Sequence, residues 1–543
     1  MKENPFRNSP SEIPRSLEVA PRGSYKEKVQ KEYGDLRIWD YLHYDRDGNL
    51  WIKDYKAVDL ARYARTPLEI VDTRIIEDRA REWRTKVEMN AMGAGYGGGT
   101  EVFYATKADP AAEVVVSAIN AGLNIEFSSQ IDAMSFNRLF DMRKDGEYII
   151  PRDIKVVCNG LKIHPAAFNE PQRRAPKGMI FESNHQTSRF HDENYVSMIA
   201  ALREKEVDIT PVIDSISEVD IWAQSDEVPP QGVDIGLRFK LYGIARNDQE
   251  QLRLEARHGM DWKTIQIAAE RISRVKHLKL TTFHAMVGAA EVIPVDDFID
   301  TLMYSAEKFF QLKKKYPTLK KFNIGGGIPH LGERYNHDEL LSRLFAGLKQ
   351  KAQKYCLDEP VVEFENGTLV AAEGGFHLTK VLQEKENSVD AKGNRVRWAN
   401  MDLPFMRAIP DIYFLGKEFI ILAANNANNS PREVILGDLT CDSDGRYPTK
   451  DMRKKGVRMF VPNTKYEEQY LVIVASKAYG EQLTGVGGVG HSGQIEPGEI
   501  IVYRDSLGRT IFKENSRQTV YDAIKILGYD DSNGGFLKRL RRR

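Results

Sequence analysis

Between about residues 75 and 370 the chain alternates short β-rich runs with segments of helical spacing, and this alternation restricts its fold more than any other feature. The runs are VFYATK (102–107), NIEFSS (124–129), IKVVCNG (154–160), GMIFES (178–183), ITPVIDS (209–215), VDIGLRFKL (233–241), LKLTTFHAM (278–286), FNIGGG (322–327) and PVVEFENG (360–367). Strands separated by helices pair in parallel through crossovers, so the pattern predicts an α/β core of the (β/α)8 TIM-like kind. These nine candidate strands are one more than such a barrel holds. The intervening helices are legible in places. After FYATKADP, Asp109 and Pro110 suit a helix start, Val114, Val115, Ala118 and Ile119 recur on one face, and Gly122 closes the segment. Leu340, Leu341, Leu344, Phe345 and Leu348 mark another helix, with Asp338 and Glu339 in its first turn.

After about residue 370 the pattern changes to EFIILAA (418–424), EVILGDL (433–439), YLVIVA (470–475) and EIIVYRD (499–505), divided by turn-rich stretches. The expectation is a C-terminal β-rich domain, a barrel or sandwich, over 371–543, beside a barrel over 76–370. Residues 1–30 read as a flexible arm. The stretch 31–75, with the hairpin signal YDRDGNLWI, is expected to join the C-terminal sheet. A chain of 543 residues exceeds one ordinary core. Lys plus Arg and Asp plus Glu are equal at 78 each, which gives no electrostatic case for a nucleic-acid partner. Cys158, Cys356 and Cys441 lack metal-ligand spacing and are too few to staple such a fold. The first residues have no apolar signal core, and no run reaches membrane-spanning length. The expectation is a cytoplasmic protein with reduced thiols and neither a membrane nor a nucleic-acid partner.

Reactive or anion-friendly groups fall at strand ends: Lys107, His284, the triplet Gly325-Gly326-Gly327, and Glu365. In a barrel of alternating strands and helices, the carboxyl edge of the strands carries the chemistry. A glycine triplet after a strand lets backbone N–H groups approach an anion that side chains would exclude. Taken singly, each is ordinary: a solvated loop lysine, a hydrogen-bonded core histidine, a tight turn, an ion-pair partner.

Their order along the chain is more specific. Lysine, histidine, triple glycine and Glu-x-Gly resemble the fold III family of pyridoxal-phosphate (PLP) enzymes, the alanine-racemase-like barrels that include basic amino-acid decarboxylases. FYATKAD is similar to that family's Tyr-Ala-x-Lys-Ala, NIGGGIP to its glycine loop, Glu365-Asn366-Gly367 to its Glu-Pro-Gly-Arg, and Ala478-Tyr479 to its Gly-Ala-Tyr. The resemblance covers roughly residues 40–530. It leans toward biosynthetic arginine decarboxylases through VCNGLK (157–162), NIE (124–126), VIDSISE (212–218), LTCDSDG (439–445) and TVYD (519–522). The stretch 164–194 looks inserted relative to that group, which would account for the extra strand.

The resemblance implies decarboxylation of a basic amino acid, arginine to agmatine and carbon dioxide, as in polyamine biosynthesis. Lys107 would carry PLP and would need an amine that is neutral part of the time, favoured by desolvation and nearby cations. Glu365 would face the pyridine nitrogen, His284 stack on the ring, and Gly325, Gly326, Gly327 and Tyr479 bind the phosphate. Glu126 would lie by the attachment point and Arg238 beside the cofactor. From the partner subunit of a homodimer with shared sites, or of a larger assembly of such dimers, Cys441 would protonate Cα. Asp442, with Asp444, would grip the cationic tail. No metal site is read from the residues, although Mg2+ is compatible with the family. The chain departs from the family at Ala285-Met286-Val287, where Gly-Ser is usual, and at Thr368, where arginine is usual. It departs again at GEQLTGVGGVGHS (480–492), whose glycines could supply replacement N–H donors. Diaminopimelate, lysine or ornithine decarboxylation is the nearest alternative. A catalytically silent regulatory relative is the alternative of another class.

Overall fold

The computed structural model describes residues 22–159, 195–225, 228, 232–241, 257–288, 293–389, 393, 395–464, 467–485, 487–515 and 518–529. Eight parallel strands close into a barrel in chain order: β1 (Thr100–Ala105), β2 (Asn124–Phe127), β3 (Lys155–Cys158), β4 (Asp208–Ile213), β5 (Val233–Arg238), β6 (Leu278–His284), β7 (Lys321–Asn323) and β8 (Val361–Asn366). The ninth candidate strand, 178–183, and the whole of the inserted stretch 164–194 lie outside the described residues. Parallel strands buried on both faces should read as nearly continuous apolar runs, and β1 to β8 mostly do. Their alternation decides what faces inward. Phe283 and Phe322 stack at 6.3 Å and meet Phe309 of the helix Val295–Lys315, in the layer between barrel and helices. Burying one such ring is worth about 2–3 kcal/mol. The neighbouring positions in sequence, Thr282, His284, Asn323, Glu363 and Glu365, are buried polar groups.

Register then places chemistry at one end. Arg238 pairs with His284 across β5 and β6, His284 with Asn323 across β6 and β7, and Glu365 with Phe103 across β8 and β1. At the start of β7, Lys321 pairs with Glu101 and Glu363 at 2.9 Å each, so the buried Glu363 is neutralised by a lysine on the neighbouring strand.

The second layer is a ten-stranded sheet, mostly from residues after 370, built around the long strand Gly375–Val389. That strand pairs antiparallel with Leu68–Asp72, which pairs in parallel with Gly498–Arg504. Within the stretch expected to join this sheet, only Leu68–Asp72 enters it. The hairpin signal instead makes a separate three-stranded sheet, Leu42–Tyr44, Leu50–Ile52 and Tyr55–Lys56, held to the larger one where Tyr44 Oη donates to Ala423 O at 2.8 Å. Inside the expected arm, Tyr25–Tyr33 is a helix capped by Ser24, with Tyr25 and Val29 in the core of the β region. Asp109, suggested by the sequence as a helix cap, accepts from Ala111 N at 2.9 Å instead, and the helix begins at Ala112.

A buried charge cluster ties the loop after β7 to both layers. His330 lies 2.9 Å from Glu333 through Nε2 and 3.4 Å from Glu373 through Nδ1. Glu373 also accepts from Arg79 Nε at 3.0 Å and Gly332 N at 2.9 Å. Burial opposes a charged imidazole, but the two carboxylates prevail and raise the His330 pKa to about 9. A histidine whose pKa is raised in the folded state contributes stability below its unfolded value, and that contribution is lost as pH rises through the folded value. His330→Gln is therefore expected to cost about 3 kcal/mol near pH 6. Its unfolding midpoint should converge on that of the parent above about pH 9, checked by thermal unfolding as a function of pH.

Candidate active site

β1 ends at Ala105, and Lys107 follows in a one-turn 3-10 segment, Thr106–Ala108, on the rim of the barrel. The turn is fixed from three sides. Thr106 Oγ1 donates to Glu126 O at 3.2 Å, Tyr104 Oη donates to Asp109 O at 2.7 Å, and Tyr479 N donates to Ala108 O at 2.9 Å. Lys107 is 47% exposed along its side chain, but its ammonium does not face bulk solvent alone. It lies 4.0 Å from Glu126 Oε2, and Glu365, Tyr479 and Arg238 are near enough to act on its charge. Glu126, on β2, is the strongest of these influences and raises the Lys107 pKa; desolvation opposes it and loses. The sequence suggested the reverse sign, a lysine made more acidic by burial and by cations. Two carboxylates outweigh the single guanidinium of Arg238, and the amine is held protonated.

Glu126 is fully buried. Its Oε1 accepts from Ser128 Oγ at 2.7 Å, and its Oε2 has no hydrogen-bond partner. Burial raises its pKa, against the pull of Lys107. Glu365, on β8, is treated oppositely by its surroundings. Asn159 Nδ2 and Asn323 Nδ2 both donate to its Oε1, at 2.5 and 2.6 Å, and His284 Nε2 lies 3.5 Å from its Oε2. Desolvation raises the Glu365 pKa, but His284 first, then the charge of Lys107 and the Asn159 amide, overcome it and hold the carboxyl well below its ordinary value. His284, 2% exposed, is kept neutral by burial, and its Nδ1 has no partner. Two buried carboxylates are thus pushed in opposite directions beside one amine, an arrangement typical of acid–base sites.

The glycine triplet lies across the end of β8. A Cβ on Gly326 would sit 2.0 Å from Glu365 O, and Gly325 and Gly327 have φ of +69° and +82°, so these positions require glycine. Its N–H groups are only partly available. Gly325 N donates to Asn323 Oδ1 at 2.8 Å, and Gly326 N donates to Met286 Sδ at 3.2 Å. Tyr479 adopts φ +57°, an uncommon backbone for a tyrosine, and its hydroxyl reaches the space beside Gly367. Burial raises its pKa, so it is a hydroxyl donor at neutral pH.

Arg238 lies 3.9 Å from Asp214 on the same rim. Cys441, Asp442 and Asp444 do not join this cluster within one chain. They lie on the exposed loop between the strands Pro431–Gly437 and Arg446–Tyr447, where Asp444 pairs with Lys450 at 2.7 Å. Of the glycines of 480–492 suggested as replacement donors, two have their N–H groups engaged locally. Gly487 N donates to Glu496, Gly490 N donates to Gln494 O at 2.7 Å, and Arg407 takes the carbonyls of Gly485 and Gly488. Among the described residues no group of three or more His, Cys, Asp and Glu side chains is placed to hold a metal ion.

Three contributors were not singled out from sequence. Asn159 and Asn323 interrupt apolar strand ends, VVC-N and F-N-I, and that interruption is the signal each carries. Lys477 follows the buried run YLVIVAS. It is 3% exposed and lies 2.9 Å from Glu69, 3.1 Å from Asp109 and 3.8 Å from Glu499. It therefore pins both the Lys107 turn and the Tyr479 backbone to the sheet.

No protein-family model matches the sequence. A curated diaminopimelate decarboxylase of Bacillus subtilis (strain 168) is 21% identical over 362 residues, 63% of this chain and 69% of that one. Among solved structures, the biosynthetic arginine decarboxylase of Campylobacter jejuni superposes with a TM-score of 0.71 at 16% identity, covering 95% of this chain and 94% of its own. A diaminopimelate decarboxylase of M. jannaschii, in complex with L-lysine, superposes at 0.66 and 16% identity, covering 89% and 97%. A structure named SrLDC, bound to PLP and cadaverine, superposes at 0.53 and 14% identity, covering 78% and 88%. The closed parallel barrel with its companion sheet is thus the fold of the fold III, alanine-racemase-like PLP decarboxylases, and this chain shares it over nearly its whole length.

Proposed function

We propose that the protein is a PLP-dependent decarboxylase of a basic L-amino acid, with arginine, giving agmatine and carbon dioxide, as the favoured substrate. The observation that carries the reading is the pair of buried carboxylates around Lys107. Glu126 lies beside the amine, and Glu365 is held well below its ordinary pKa by His284, Lys107 and the Asn159 amide. The residues fit PLP on three counts. Glu126 Oε2 and His284 Nδ1 are buried polar atoms without hydrogen-bond partners. The glycine triplet admits no side chain at Gly326. The anion of Glu365 suits a protonated pyridine nitrogen, which a neutral carboxyl would not hold.

When bound, PLP supplies an acceptor for the electron pair that departing carbon dioxide leaves at Cα. Lys107 Nζ is the attachment point and must first lose its proton. Glu126 Oε2, made less acidic by burial, is placed to take it. His284, kept neutral, can cover a ring face without adding a competing charge. Gly327 N–H and the Tyr479 hydroxyl are the phosphate donors least committed elsewhere. The partner subunit's Cys441 would deliver the proton to Cα, and the partner subunit's Asp442 and Asp444 would take the cationic tail through charge-assisted hydrogen bonds.

The similarity to a diaminopimelate decarboxylase favours a second substrate reading, which needs a cation for the distal carboxylate. Arg446 is the nearby candidate, but its guanidinium stacks 5.0 Å over Trp398, and the two aspartates of its loop suit a tail with no carboxylate. The Met286 sulfur on Gly326 N–H is the feature that favours a silent relative.

Carbon dioxide release from arginine, lysine, ornithine and diaminopimelate separates these readings. Arginine is expected to be fastest, and no release from any of the four rules out a decarboxylase. Lys107→Ala should abolish the borohydride-sensitive visible band of the PLP-loaded protein, and turnover persisting in that variant would refute the assignment. Removing the charge of Glu126 in Glu126→Gln should lower the pH midpoint of Lys107 attachment, read from that band against pH.

A further inference from the structure

The loop that carries Cys441 and Asp442 meets a second loop of the β region through one side chain, His491, in the short turn His491–Gly493. Its Nε2 lies 3.1 Å from Asp442 Oδ2 and 3.8 Å from Cys441 Sγ. Ser492 fixes the same contact: its Oγ accepts from Cys441 N at 3.4 Å and lies 3.4 Å from Sγ. One ring nitrogen therefore faces two groups. A neutral imidazole can offer either an N–H to the carboxylate or a lone pair to the thiol, not both. Other charges nearby are engaged: Asp444 with Lys450, and Arg407 with the carbonyls of Gly485 and Gly488. Tyr413, which senses Asp442, is the further titratable group on this face.

We propose that His491 is a proton relay behind Cys441, armed when a cationic substrate tail claims Asp442. The proposal rests on the decarboxylase reading above. Without substrate, Nε2–H donates to Asp442. When the tail takes that carboxylate, the N–H turns to the sulfur. Cys441 gives its S–H proton to Cα, and the S–H electron pair stays on sulfur as thiolate. The imidazolium proton then passes to the thiolate, which restores the thiol and leaves a neutral imidazole that bulk water reprotonates. Seating of the tail is thereby coupled to readiness of the proton donor. His491 acts through Cys441 and touches no substrate atom in this scheme, so it is a positioning residue.

The test compares Cys441 alkylation by iodoacetamide, from about pH 6 to about pH 9, with and without His491→Gln. Both proteins carry Cys356→Ser, which leaves Cys441 and the buried Cys158 as the thiols. An imidazole donor beside a thiol favours the reactive thiolate, so the substitution should slow alkylation at neutral pH by about three- to ten-fold. His491→Lys, which restores a cationic donor, should recover the rate. In the PLP-loaded enzyme, His491→Gln should lower kcat with little change in KM. An alkylation profile unchanged by His491→Gln overturns the relay even if carbon dioxide release is normal. A shifted profile in a protein that decarboxylates none of the four amino acids ends the relay through failure of the decarboxylase reading, with the imidazole–thiol contact still demonstrated.

Discussion

A carboxylate buried at the end of a barrel strand must find donors or give up its charge, and Glu365 is the point where this fold meets that constraint. Two amides from different strands, Asn159 and Asn323, converge on one of its oxygens. That convergence needs β3, β7 and β8 in their observed register, because a slip of one residue would turn each side chain to the helical layer. The same register brings His284 beside Glu365 and sets Arg238 next to His284. Glu126, equally buried but with a single hydroxyl donor, is pushed toward its protonated form instead. The two carboxyls differ in what faces them, His284 and the Asn159 amide at Glu365 and little besides Lys107 and Ser128 at Glu126, and Lys107 lies between them.

Much of this was legible in the sequence because it depended on chain order and periodicity. Eight of the nine apolar runs are the barrel strands, and Lys107, His284, the glycine triplet and Glu365 meet on one rim as a barrel requires. What could not be read depended on which way a side chain donates after folding. Asn159 and Asn323 were visible as polar interruptions of apolar runs, but their common target is a tertiary fact. The shift of Lys107 was expected with the wrong sign, since the balance of Glu126 and Glu365 against Arg238 is a matter of distance. Asp109 satisfied every local rule for a helix cap yet was drawn into a buried pair with Lys477. Local propensity lost there to the need to compensate a buried ammonium.

The departures from the family pattern have physical content. Where a small polar residue is usual after the histidine, Met286 lays its sulfur against the glycine loop and occupies the Gly326 donor. A thioether is a weak acceptor, so the contact is easily given up to a stronger one. The glycine-rich segment beyond Tyr479 is organised around Arg407, its carbonyls turned to the guanidinium.

Lys477 makes the two layers depend on each other through charge. Its ammonium is shared among Glu69 and Glu499 of the sheet and Asp109 of the reactive turn, with almost no access to water. A barrel inherited without the sheet would keep Asp109 in an apolar setting and lose the only cation that compensates it there among the described residues. The sheet is therefore not a passive neighbour of the barrel: excising it would leave a buried carboxylate uncompensated at the turn that carries Lys107.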